Sequence, residues 1–318
     1  MKKYDLIATA DLHFIDWTPA CRTDDIWKTQ ERKWEEIMSL ASKNNCPIMI
    51  AGDIFTKWKA SPKLVNFLMY LSENTYGIHA IPGNHDLPYH SLDHIESSSF
   101  ETLIEAGLFK PLYVNRDSNN PINYCVKTRK APKRPGLKII GVPFGLDIPE
   151  KDFRTDLSDR QVLVTHTFVY EKEEPFPNAP GGRGVALLKK YPMYDLIITG
   201  DNHEPFVVKY KGRVLVNPGS IFRWSAAQIN HKPRVYLYDA KENKVKPHFL
   251  QIDTDVISTD HIERKNEIEE RIKEFSSKML DVDIIGLDFA QNLQSHFEKY
   301  DVPKEVQKII WEALEDGR

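Results

Sequence analysis

The sequence predicts an α/β fold, two sheets flanked by helices and followed by a small helical appendage, and three observations carry that prediction. Short apolar runs recur, and each ends in Asp, Asn or His: residues 6–10 before Asp11-Leu12-His13, 48–51 before Gly52-Asp53, 77–81 before Pro82-Gly83-Asn84-His85-Asp86, 162–164 before His166, and 196–198 before Gly200-Asp201-Asn202-His203. Segments of helical period separate the first three runs, the alternation expected of parallel strands joined by right-handed crossovers. Beyond residue 252 the strand pattern gives way to amphipathic helical segments.

Taken in order, residues 4–10 read as a buried strand. The polar segment after it holds Trp17, Cys21 and Asp24. From Trp27 onward, Trp27, Trp34, Met38 and Ala41 fall close to one helical face, until Asn44-Asn45 ends the pattern. That stripe reads as a helix packed on a sheet; the competing reading is an aromatic platform for nucleic acid. A second helix starts at Ser61-Pro62, where serine caps and proline suits the first turn, and Leu64, Val65, Leu68 and Leu71 continue it. The middle is less regular. A short helix is expected over 101–107, then strands of a second sheet over 112–114, 122–126 and 137–142. Between the last two lies a basic stretch, Lys127, Arg129, Lys130, Lys133, Arg134 and Lys138, interrupted by Pro132 and Pro135. It reads as a solvated hairpin tip or as a contact to a phosphate backbone.

Residues 161–165 deliver His166, and a loop rich in Glu, Pro and Gly follows over 170–184, long enough to wall a site. Hairpins are expected over 206–216 and 234–252, with Asn217-Pro218-Gly219-Ser220 between them. In the tail, Ile268, Ile272, Phe275 and Met279 mark one helix, Phe289, Leu293 and Phe297 a second, and Val306, Ile309, Ile310 and Leu314 a third. The composition change divides residues 1–252 from 253–318.

With 318 residues, 41% hydrophobic and 28% charged, the chain can bury one large core plus an appendage. Lys+Arg 43 against Asp+Glu 46 gives a net charge of -3, so any nucleic-acid surface must be local. Cys21, Cys46 and Cys125 are odd in number and lack C-x-x-C spacing, which argues against a disulfide framework or a zinc ribbon and for a reduced, cytoplasmic setting. The first strand begins within a few residues of Met1, leaving no room for a leader, and no apolar run approaches the ~20 residues of a membrane span.

Asp, Asn and His collected at strand ends suggest a single metal site, because open α/β sheets expose their ligand sites there. The order D-x-H, G-D, G-N-H-D, a lone His and G-x-x-H resembles the calcineurin-like metallophosphoesterase superfamily over residues 4–252. Gly52-Asp53-Ile54-Phe55 followed by Ser61-Pro62, and Asn84-His85-Asp86-Leu87-Pro88, are similar to the DNA-repair nuclease branch of Mre11 and SbcD. The resemblance implies a two-sheet metallophosphoesterase sandwich over 1–252 and, over 253–318, a cap or partner-binding region. It implies hydrolysis of DNA phosphodiesters by a hydroxide held between two divalent metals, a Rad50 or SbcC type ATPase as partner, and a homodimer.

Carried over position by position, the resemblance makes Asp11, His13 and His203 ligands of a first metal, Asp53 the bridge, and Asn84 and His166 ligands of a second. His85 would contact the scissile phosphate and help the leaving oxygen depart, with Asp86 as its orienting partner. Asp201 stands where the family commonly has histidine. Aspartate suits oxygen-preferring ions, so Mn2+ or Mg2+ is expected over Zn2+; the alternative is that Asp201 turns away and the second site is weak. Thr56 stands where some nuclease members carry histidine. Arg223, Lys130 and Arg134 are candidates for substrate phosphates, structural pairing being the other reading of Arg223. Two functions compete with the nuclease: a phosphoesterase for a small molecule such as a nucleotide, closed over by the 170–184 loop, and a protein-binding scaffold with vestigial metals.

Overall fold

Strands buried on both faces need apolar side chains at every position. β1 (Leu6–Thr9), β2 (Ile48–Ala51) and β3 (Ile78–Ile81) meet that condition throughout. The computed structural model describes residues 4–72, 77–113, 125–127, 135–154, 156, 159–260, 264, 267–273 and 289–315. In it β1, β2 and β3 pair in parallel, and β4 (Phe109–Pro111) extends them beside β3. The second sheet joins β5 (Cys125–Lys127), β6 (Leu137–Val142), β7 (Arg160–Thr165), β10 (Leu196–Thr199), β11 (Phe206–Tyr210) and β12 (Arg213–Asn217) in the order β11-β12-β10-β7-β6-β5. Its inner strands β12, β10, β7 and β6 are parallel. A two-stranded ribbon, β8 (Val169–Tyr170) with β9 (Gly182–Arg183), draws together the ends of the long loop after His166. β13 (Arg234–Asp239) and β14 (Lys244–Phe249) complete the first sheet, β13 antiparallel to β1.

Two six-stranded sheets flanked by helices are therefore the architecture that the sequence predicts. They pack face to face. Val162, Val164, Leu196, Ile198, Val214 and Val216 share one core with Ile7, Met49, Ile50 and Ala80. The alternate residues Leu163, Ile197 and Leu215 form a smaller core with Leu188 of α4 (Gly184–Lys190). Gly141, inside β6, lets that strand approach Leu112 and Ile81 closely, and a Cβ there would stand 2.2 Å from the Leu112 carbonyl oxygen. On the outer side of the first sheet, α1 (Ile26–Asn44) is capped by Asp25, whose side chain accepts from the Trp27 and Lys28 N–H groups, and it buries Ile26, Trp34, Ile37 and Ala41. α2 (Pro62–Leu71) starts where expected, with Ser61 accepting from Leu64 N–H and proline in the first turn. α3 (Ser99–Glu105) begins one cap earlier than the sequence suggests, on Ser98.

The middle of the chain departs from expectation. Instead of a second-sheet strand over 112–114, the strand is Phe109–Pro111 in the first sheet, and Val114 lies outside the described residues. Of the strand expected over 122–126, only Cys125 and Val126 are described, antiparallel to β6. Lys130 and Arg134 lie outside the described residues.

The chain divides into two compact units, Met1–Thr259 and Asp260–Arg318. In the second, residues 267–273, Phe289–Lys299 and Lys304–Glu315 are helical. Phe297 is buried, its ring 6.2 Å from that of Trp311; Phe275, Met279 and the Leu314 side chain lie outside the described residues. Among the described residues no helix is long and apolar enough to cross a membrane.

Candidate metal centre and active site

The parallel strands β1, β2, β3, β7 and β10 each release a loop at their C-terminal end, and those loops converge. Turning sharply out of a buried strand requires unusual backbone, and Asp11 (φ 50), His13 (φ 44), Asp53 (φ 55) and Asp201 (φ 77) all adopt the left-handed conformation. For residues with a Cβ that conformation costs about 1 to 2 kcal/mol each. Such strain persists only where surrounding structure imposes it, and it gathers at functional sites.

The loops bring their side chains together. Asp53 Oδ2 lies 3.4 Å from His13 Nε2 and 3.5 Å from His166 Nε2, so one carboxylate faces two imidazoles. His13 Nε2 also lies 3.0 Å from His203 Nε2, and His166 Nε2 lies 2.9 Å from Asn84 Oδ1. Asp201 does not turn away: its Oδ1 is 4.0 Å from His166 Nε2, and its N–H donates to Asp11 Oδ1. Donor atoms of Asp11, His13 and His203 lie within 4.8 Å of one another, as do those of Asp11, Asp53 and His166.

The electrostatics describe a pocket built for cations. Asp11 is completely buried, its Oδ2 has no hydrogen-bond partner among the described residues, and burial pushes its carboxyl well above the usual range. Burial drives the His13 imidazole down to about 3 against the pull of Asp53, which leaves it a neutral donor. Burial also opposes charge on His166, but Asp53, Asp11 and Asp201 around it overcome that and hold it up at about 10. The His166 Nδ1–H donates to the Ala51 carbonyl at 2.7 Å, which turns Nε2 inward. An orphaned buried carboxyl oxygen, the neutral imidazole of His13, a His166 imidazole that would give up its Nε2 proton to a bound cation, and an amide oxygen are the donor set of divalent ions such as manganese, magnesium or zinc. The residues present fit such ions: Asp11, His13 and His203 could hold one, and Asp53, Asn84, His166 and Asp201 a second.

A family model described as calcineurin-like phosphoesterase matches residues 5–205. The chain belongs to the calcineurin-like phosphoesterase family. It is accordingly a metal-dependent phosphoesterase. A search of curated proteins finds no match. Among solved structures, the phosphoesterase is similar to TT1561 of Thermus thermophilus, at 13% identity and a TM-score of 0.46 over 79% of this chain and 100% of that one. It is also similar to the phosphopantetheinyl hydrolase PptH of Mycobacterium tuberculosis, at 13% identity and a TM-score of 0.45 over 78% of this chain and 97% of that one.

His85 sits at the exposed edge of the phosphoesterase centre, its ring centroid 5.0 Å from that of His13. Its N–H donates to Asp53 Oδ1, and its ring Nδ1 is held 2.9 Å from the Thr56 carbonyl oxygen. Asp86 is thus not the orienting partner of His85. Completely buried, it accepts from the N–H groups of Ile54, Phe55 and Gly83, tying the second loop to the third. Burial and the nearby Asp53 push its carboxyl up to about 7 against those three donors. Arg223 is likewise not at the site. It is 7% exposed and donates to the carbonyls of Ile229 and Asp253, so its charge is spent closing the chain.

Two features escaped the sequence reading. Asn217, at the end of β12, takes the Thr199 hydroxyl proton on its side-chain oxygen and donates to the carbonyls of Asn202 and Glu204, which sets the loop carrying His203. Its position in Asn217-Pro218-Gly219-Ser220 was the available signal. Trp17 and Trp224 line the cleft above the histidines.

Proposed function

We propose that this phosphoesterase is a two-metal phosphodiesterase that hydrolyses DNA. The observation that carries the reading is the cleft of about 280 Å³ that opens from His13, His85 and His203: among the described residues no lysine or arginine lines it. A phosphomonoester brings a dianion that such a wall would leave uncompensated, whereas a diester brings one negative charge and a second substituent to fill the apolar walls of Ile15, Trp17 and Trp224. The opening is also too exposed for a closed small-molecule pocket, with Trp17 44% exposed at its rim.

Two divalent ions, when bound, polarise the phosphoryl oxygens and supply a nucleophile at neutral pH. Asp53 faces the ligands of both sites, and its Oδ1 fixes the His85 main chain, so the carboxylate that sets the ions also sets the acid. Donating Nδ1–H to the Thr56 carbonyl leaves His85 Nε2 free, and the doubly protonated imidazole would give its Nε2 proton to the departing sugar oxygen and remain as the neutral Nδ1–H tautomer. Asp201 supplies an oxygen donor in place of the family's histidine and favours Mn2+ or Mg2+ over Zn2+. An ATPase of the Rad50 or SbcC type and a second copy of the chain are the partners of this reading, with the 253–318 region as the docking segment; the resemblance in the ordered motifs supports them.

The test incubates the purified chain with Mn2+ and end-labelled linear DNA beside His85→Ala and Asp53→Asn. Cleavage by the parent that both substitutions abolish is expected. Failure of the parent to cut DNA while it hydrolyses a nucleotide monoester would overturn the reading in favour of a small-molecule phosphoesterase.

A further inference from the structure

Two clefts meet at one exposed indole. The first is the one floored by His13, His85 and His203 and walled by Trp17 and Trp224. The second, about 380 Å³, shares Trp17 and adds Lys57, Lys59 and Asp16 at its polar side. Lys57 and Lys59 are exposed, and the Lys57 ammonium stands 5.2 Å from the Trp17 ring centre. Lys57 lines only the second cleft, so Trp17 separates an apolar, uncharged wall beside the reacting centre from a cationic one beyond it.

The other wall is fixed from a distant part of the chain. The Trp224 carbonyl accepts from the Cys21 thiol and its N–H donates to Gln228 Oε1, which pins the main chain there. Its indole N–H is buried and has no acceptor among the described residues. A large aromatic surface left exposed at the mouth of a cleft that a second indole also lines is suited to a planar ligand.

We propose that Trp17 and Trp224 hold a nucleobase of an unpaired DNA strand beside the scissile phosphate, and that Lys57 and Lys59 take the phosphate of the neighbouring nucleotide. The proposal rests on the DNA reading above and assigns where the strand runs. Charge order supports it: a strand places its base against the neutral wall and its next negative charge one unit further, where the lysines stand. Asp16 offsets part of that charge and limits the site to a single phosphate. Stacking on an indole does not depend on base identity, so the subsite fixes strand position without selecting sequence.

The test measures binding by fluorescence anisotropy, with the full chain loaded with Ca2+ and the strand checked for intact length afterwards. The probes are a labelled single-stranded thymidine decamer and the same decamer with one abasic nucleotide stepped along it. For the parent chain, one abasic position is expected to weaken binding about tenfold, the scale of one stacked base. Trp17→Ala is expected to bind more weakly and to lose that discrimination, while Trp17→Phe keeps it, which separates lost stacking from misfolding. Lys57→Gln with Lys59→Gln is expected to keep the discrimination and to lower the slope of log Kd against log salt by about 0.7 for the phosphate released. Parent binding that is blind to every abasic position, or a Trp17→Ala loss equal for all decamers, overturns the stacking subsite while the DNA reading stands. Absence of any decamer binding by the parent overturns both.

Discussion

Replacing Asp86 by alanine leaves the N–H groups of Ile54, Phe55 and Gly83 without acceptors in a buried position. An unsatisfied buried donor costs about 1 to 3 kcal/mol, and the three together cost about 3 to 6 kcal/mol, the loops relaxing toward water enough to spare the upper end of the range. Asp86→Asn is milder. Its amide oxygen can keep the position of Oδ2, which serves Ile54 and Gly83, while its NH2 faces the Phe55 N–H, for a cost of about 1 to 3 kcal/mol. The assay is equilibrium urea unfolding in EDTA followed by tryptophan fluorescence, for which fully buried Trp34 is a reporter in the Met1–Thr259 unit. The same pair is measured in a His85→Ala background, where the cost of Asp86→Ala is expected to be unchanged within about 0.5 kcal/mol, since among the described residues Asp86 accepts from main-chain N–H groups and the His85 ring faces the Thr56 carbonyl. A cost below about 1 kcal/mol, or one that vanishes when His85 is absent, would refute the assignment of Asp86 as the tie between the loops.

Other substitutions test other parts of the account. Lys33 is 3% exposed without a hydrogen-bond partner for its ammonium among the described residues, and burial, with Arg223 and Arg32 nearby, drives it down to about 7. Between that value and its ordinary 10.5 the unfolded chain binds the extra proton, so stability climbs with pH across the window. Lys33→Met is expected to raise Tm most at pH 6 and progressively less toward pH 10 (thermal melts at fixed metal); a lowered Tm at every pH contradicts a costly buried charge. Gly83→Ala would set a Cβ 2.2 Å from Asp53 Oδ1, and calorimetric titration should show Mn2+ affinity reduced tenfold or more; unchanged affinity would remove Asp53 from the centre. Asp201→His is expected to shift Zn2+ against Mn2+ competition toward Zn2+ by tenfold or more, and an unmoved ratio would mean that Asp201 binds neither ion.

The sheets were legible because their inner strands are buried on both faces, so each shows as an unbroken apolar run with its chemistry at the end. The convergence of Asp11, Asp53, Asn84, His166 and His203 follows from parallel strands alone, since parallel strands deliver their loops to one edge. Asp86 was misread because its partners are main-chain N–H groups, which leave no mark in a side-chain pattern. Arg223 stayed open between a phosphate contact and a structural role, because nothing near it in sequence announces that the carbonyls of Ile229 and Asp253 await its guanidinium. The short strand Phe109–Pro111 ends in proline, which masked it, and its pairing with β3 is decided by tertiary contact. Trp17 and Trp224 meet at one cleft from opposite ends of the catalytic unit, a proximity that no local pattern encodes.

The central claim is that Asp53 joins two ion sites, and manganese electron paramagnetic resonance tests it most directly. Titrating the metal-free chain with Mn2+ should load two ions per chain and yield a spin-coupled spectrum at the second equivalent, with the coupling lost in Asp53→Asn. Saturation at one ion, or two ions with independent spectra in the parent chain, would contradict it.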